Sequence, residues 1–148
     1  MRQSILLALK DSKSSQSVLN YFSRLPFQPD SLDITLLHVF RRPGAGEELM
    51  GEDFARKEET RVQGVMENAK NFLIQQGMNP ALIRIRLVTD PYPTVTDAII
   101  DQFSRDIYHM VVIGRRKKSK SEEFVMGDVS VKLVRALEGT GVLVVKFI

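Results

Sequence analysis

Five short runs dominated by Ile, Leu and Val punctuate the chain: Ile5–Leu9, Ile34–Phe40, Ile83–Val88, Met110–Gly114 and Val142–Phe147. Several are near-continuous rather than alternating, the pattern of strands covered on both faces. Between them the apolar positions change period. Val62, Val65, Met66, Ala69, Phe72 and Leu73 follow the i, i+3, i+4 spacing of a helix, with Gly77 and Pro80 supplying its stop. Weaker stripes of the same kind are Val18, Leu19, Phe22 and Leu25; Val95, Ala98, Ile99 and Phe103; and Ser130, Leu133, Val134 and Leu137. Five strands alternating with four helices need crossover connections, and right-handed crossovers onto one sheet predict a three-layer α/β fold with a five-stranded parallel sheet. No repeat, linker or break in composition divides residues 1–148, so a single domain is expected. Pro43, Gly44, Gly46 and Gly51 mark a loop ahead of the long helix. Ligands of such sheets bind outside the carboxyl ends of the strands, where strand order reverses. That directs attention to Lys10–Ser12, His38–Phe40, Asp90–Pro93 and Gly114–Asp128.

Composition narrows the chemistry. With 148 residues, 43% hydrophobic and 26% charged, the chain matches an ordinary globular domain. A chain of this length buries roughly 70% of its unfolded surface and needs no staple. Cysteine is absent, which excludes disulfide frameworks, thiolate zinc sites, iron–sulfur clusters and a cysteine nucleophile. The apolar run Ile5–Leu9 is too short for a signal or membrane-spanning segment, so a cytoplasmic protein with no membrane partner is expected. Net charge is only +3, yet five of the six residues from Arg115 to Lys120 are basic. No aromatic residue is interleaved there to stack on bases, so the run reads as a solvated loop and no nucleic-acid partner is assigned.

His38 and His109, the only histidines, each flank a predicted strand and read as structural. No nucleophile–base–acid spacing is present, and no catalytic residue is assigned. Glu47, Glu48, Glu52 and Asp53 lack metal-loop spacing; they read as a solvated helix entrance, and no metal ligand is assigned. Pro91 and Pro93 shape the turn into the third helix.

The last third, from VVIGRR through GDVSVKLV to VLVV, resembles the universal stress protein family. In that family's nucleotide-binding members a strand ending in Gly is followed by G-x2-G-x9-G-[ST], a helix and a last apolar strand. Gly114 and Gly127 stand thirteen apart as the pattern requires, and Ser130 and Val142–Val145 follow in register. ILLALKDSKSSQSVL (Ile5–Leu19) is similar to the family's first strand and helix start, and Leu36–Val39 to the end of its second strand. The resemblance implies an adenine nucleotide alpha hydrolase-like, Rossmann-like fold and a homodimer built through the last strand, Val142–Phe147. An apolar strand at a sheet edge invites such pairing independently. The pattern is also a physical cradle, because glycine admits close backbone approach and a helix start offers N–H groups to phosphate. Without the resemblance, two isolated glycines would more simply be turn residues.

Four positions depart from the family's nucleotide-binding pattern. Lys10 replaces an acidic residue at the end of the first strand, Lys117 the middle glycine and Asp128 the final Ser or Thr; His109 stands where an acidic residue precedes the fourth strand. A carboxylate at position 128 is a good N-cap, worth about 0.5–2 kcal/mol over alanine, but it occupies the N–H groups a phosphate needs. Two like charges ~4 Å apart at an effective dielectric of ~20 repel by about 4 kcal/mol, roughly a thousandfold in affinity. Lys117 restricts the backbone where glycine would not, yet lysine also binds phosphate.

The expectation is therefore a non-enzymatic, universal stress protein-like regulatory module with weak or no ATP binding and no firm cofactor. The alternative is ATP, with magnesium if it binds, held by Lys10, Val39, Gly114, Arg116, Lys117, Gly127, Asp128, Val129 and Ser130. Slow nucleotide hydrolysis ranks third, for want of a general base. Lys10 and Asp128 either face each other as an ion pair in the phosphate site, or Asp128 caps its helix while Lys10 points to solvent.

Overall fold

The computed structural model describes residues 2–10, 12–40, 51–116 and 129–147. The chain alternates strand and helix: β1 (Gln3–Ala8), α1 (Ser12–Ser23), β2 (Leu32–Val39), α2 (Gly51–Gln75), β3 (Ile83–Val88), α3 (Val95–Arg105), β4 (Met110–Arg116), α4 (Val129–Ala136) and β5 (Gly141–Phe147). All five strands are parallel, in the order β3-β2-β1-β4-β5. Every strand lies where its apolar run predicted it, with ends within two residues.

Side-chain alternation sorts the core into two halves. Ile5, Leu7, Ile34, Leu36 and Val112 face Val18 and Phe22 of α1 and Val62, Met66 and Leu73 of α2. Leu6, Leu37, Val111 and Ile113 face Ile99 of α3 and Leu133 of α4. Burial on both faces explains why the strands lack polar alternation.

Local chemistry sets the helix ends. Gly77 takes φ +100°, while Met78 N–H bonds Leu73 O at 3.0 Å and Gly77 N–H bonds Ile74 O at 3.0 Å. This paired closure needs a left-handed residue, which glycine supplies without a Cβ penalty, and buried Met78 packs in the same cluster as Leu73. Thr94 caps α3: its hydroxyl accepts from Asp97 N–H at 3.1 Å and donates to the Asp97 carboxylate at 2.7 Å.

Two expectations change. Leu25 lies beyond the end of α1, tied back by its N–H to Phe22 O at 3.1 Å. On α4, Leu133 is fully buried, but Val134 is 61% exposed. The helix flanks β5, the last strand of the sheet, and among the described residues no further strand lies beneath its outer side.

Candidate functional site

Strand order reverses between β1 and β4, so the crevice expected of an open α/β sheet lies at their carboxyl ends. Lys10, exposed, stands two residues past the end of β1. Val39 ends β2, half-buried on the α3–α4 side of the sheet. Val129 and Ser130, also half-buried, form the first turn of α4. Arg116 is the last residue of β4, in register with Phe147. Lys117, Gly127 and Asp128 lie outside the described residues. Lys10, Gly114 and the start of α4 thus belong to one end of the sheet; the proposed Lys10–Asp128 pairing is not described.

Gly114 has a packing reason of its own. A Cβ there would come within 2.9 Å of Val18 Cγ2 and 3.2 Å of Phe147 Cε1. Its φ is not positive, so the glycine answers to space rather than to backbone conformation. α1 therefore sits against β4 at the level of the crevice. One turn earlier on the same face, Ser15 is only 3% exposed, and its hydroxyl has no hydrogen-bond partner among the described residues. Sequence spacing gave no hint of Val18, Phe147 or Ser15, because each becomes a neighbour of this end only through the packing of α1 and β5 on β4.

The histidines separate. His38 Nδ1 lies 2.8 Å from the carbonyl of Leu9; a carbonyl only accepts, so the ring donates from Nδ1. Its ring meets Phe40 edge-on, centroids 4.9 Å apart. Nearby on α2, hydrogen bonding from Arg61 holds the Glu58 carboxyl below its ordinary value, helped by the positive fields of Arg61 and His38. His38 thus ties the end of β2 to the segment that carries Lys10, a structural role as expected. His109 belongs to the other end of the sheet. Its N–H donates to Ser4 O at 2.8 Å, its Nδ1 accepts from Ser4 N–H at 2.9 Å, and its carbonyl accepts from Gly141 N–H at 2.9 Å. It fastens β1 to β5 across the start of β4. Of the four departures, this one lies a strand's length from the crevice.

Two cavities of about 350 Å³ lie elsewhere: one beside β3 and α3, lined by residues including Arg86, Asp90 and Gln102, the other lined by Arg2, Asp33 and Arg84. Among the described residues no group of three metal-ligating side chains occurs, and no helix is long and apolar enough to cross a membrane.

A five-stranded parallel sheet sandwiched by helices, with its crevice between β1 and β4, is an adenine nucleotide alpha hydrolase-like α/β fold. The family model described as the universal stress protein family matches residues 1–146, and the chain belongs to that family. Solved structures with the same fold include a universal stress protein from Archaeoglobus fulgidus (16% identity, TM-score 0.70, covering 99% of this chain and 100% of that one). A universal stress protein in complex with cAMP matches at 15% identity and TM-score 0.67, covering 97% and 95%. A family protein from Arabidopsis thaliana with AMP bound matches at 16% identity and TM-score 0.57, covering 97% and 91%. Comparison with curated protein sequences gives no match.

Proposed function

We propose that this universal stress protein is a non-enzymatic regulatory module of the cytoplasmic stress response whose crevice binds ATP weakly or not at all. The observation that carries this reading is Lys10. It stands at the switch point, where the family's nucleotide-binding members carry an acidic residue, and it removes an acceptor for a nucleotide's hydroxyl groups. Asp128 and Lys117 alter the phosphate loop in the same chain. The packing of Val18 and Phe147 on Gly114 supports the reading too, since it accounts for that glycine without a ligand. The protein acts as a homodimer paired through Val142–Phe147, an edge strand whose Val142, Leu143 and Val144 stay half-exposed.

A second reading is favoured by the cAMP and AMP in two proteins of the same fold. In it ATP docks with Val39 at the base, Gly114, Gly127, Val129 and Ser130 at ribose and phosphates, and Lys10, Arg116 and Lys117 as cationic contacts. Magnesium would accompany the phosphates. Titration of purified protein with labelled ATP separates the two. No saturation at micromolar concentration is the expected result, whereas a Kd near 1 μM, about −8.2 kcal/mol, overturns the first reading.

A further inference from the structure

The two edges of the sheet differ in chemistry. β5 is apolar, whereas β3, IRIRLV, alternates arginine with aliphatic residues. Parallel pairing fixes which backbone groups of β3 remain open. Phe40 N–H donates to Val88 O at 2.9 Å, so Val88, Arg86 and Arg84 turn their backbone N–H and C=O toward β2. Ile85 and Leu87 turn theirs outward, and among the described residues no strand adjoins that side.

The side chains add a direction. Val88 packs in the α3–α4 half of the core, so Arg84 and Arg86 project to that side as well. Arg86 is held in place: it donates to Gln102 Oε1 at 2.9 Å and pairs with Asp106 at 3.1 Å, and Gln102 is itself buried. Arg86 and Gln102 line the cavity of about 350 Å³ beside β3 and α3, together with Asp90 and Asp106. Arg105 is paired with Asp101 at 3.0 Å. Arg84 is exposed and makes no ion pair among the described residues, although it lies two residues along the same face. Among the described residues the edge thus offers outward donors and acceptors, a cavity beside them and, about 6.6 Å along the strand from Arg86, a cation that is in no ion pair, Arg84.

We infer that β3 is a docking edge for an extended acidic peptide segment of a partner protein, which adds as a sixth strand. Its backbone pairs with Ile85 and Leu87, a carboxylate meets Arg84, and the alternate side chain enters the groove beside Arg86 and Gln102. Main-chain pairing gives such strand addition its affinity, and alternate side chains give it specificity. The edge lies on the far side of the sheet from β5 and does not involve the crevice, so the inference is independent of whether ATP binds.

The test uses a fluorescent nonapeptide of alternating Val and Glu, with a Val–Lys peptide as control. The acidic peptide saturates the protein below ~1 mM by anisotropy. In ¹⁵N spectra it shifts the Ile85 and Leu87 amides while leaving those of β5 in place. Arg84→Glu weakens it by about tenfold or more, a change of ~1.4 kcal/mol. Leu87→Pro removes an outward N–H, which an edge strand tolerates, and also weakens binding. Should Leu87→Pro fail to fold, Arg84→Glu and the amide map decide. Absence of saturation, equal binding of the Val–Lys peptide, unchanged affinity in Arg84→Glu, shifts confined to β5, or self-association of the protein through β3 would each overturn the inference.

Discussion

Gly114, inside β4, is hemmed in by Val18 of α1 and Phe147 of β5. Its place in the spaced-glycine pattern pointed to ligand approach, while the packing shows a position inside β4 that Val18 and Phe147 leave too small for a methyl group. Gly114→Ala is therefore expected to destabilise the fold by about 1–3 kcal/mol, the ordinary range for overpacking. Urea denaturation measures this; a midpoint unchanged from the parent would show that α1 yields without cost. The motif was legible because it is linear, whereas its steric cause joins positions 18, 114 and 147. Tyr92, Asp101 and Arg105 were invisible for the same reason. The Tyr92 hydroxyl donates to Asp101, which also accepts from Arg105 at 3.0 Å. The Tyr92 hydrogen bond, with those of Ser104 and Arg105, lowers the Asp101 carboxyl from its ordinary 3.8, and the same Asp101 contact raises Tyr92 above 10.0. A depressed acid stabilises above its unfolded value and loses that contribution as pH falls through the folded one; a raised phenol stabilises below its unfolded value and loses it as pH climbs through the folded one. Tyr92→Phe should thus move the Asp101 titration upward, followed by carboxyl ¹³C shifts, and should remove the Tyr92 contribution to the alkaline stability limb.

At the scale of elements, the strands were legible because burial on both faces writes a continuous apolar run, and the long helix because Gly77 and Pro80 close it. α4 was legible as a helix but not in its depth. Its apolar stripe promised a buried Val134, which is exposed: the helix flanks β5, and among the described residues no further strand lies beyond it. β5 carries the element-scale prediction. Gly141 N–H donates to His109 O, so alternation turns Gly141, Leu143, Val145 and Phe147 toward β4 and Val142, Val144 and Lys146 outward. Val144→Pro removes one outward N–H without taking a hydrogen bond from the β4 ladder. Light scattering is expected to give the dimer mass for the parent and the monomer mass for this variant, with the native circular dichroism of both retained. The same dimer mass in both would exclude pairing through β5.

Across the whole molecule, fold and ligand chemistry separate. A chain can keep the sheet order, the crevice and the spaced glycines while altering the charges at the crevice, because the packing depends on apolar faces and the ligand on a few residues after the strands. In the function proposed above, Lys10, Lys117 and Asp128 are those residues, standing where the family's pattern has an acid, a glycine and a hydroxyl. If they alone silence the crevice, restoring them together should reopen it. Lys10→Asp returns an acceptor, Lys117→Gly returns backbone freedom, and Asp128→Ser replaces a repelling carboxylate with a donor. Removal of one repulsion of ~4 kcal/mol corresponds to roughly a thousandfold gain in ATP affinity, so a folded triple variant should bind in the range where the parent does not. The triple change is needed because a single reversal at position 10 or 128 leaves the other departures in place. Calorimetric titration of the triple variant, with its fold checked by circular dichroism, decides the matter: unchanged affinity would mean that the crevice is closed by its packing rather than by its charges.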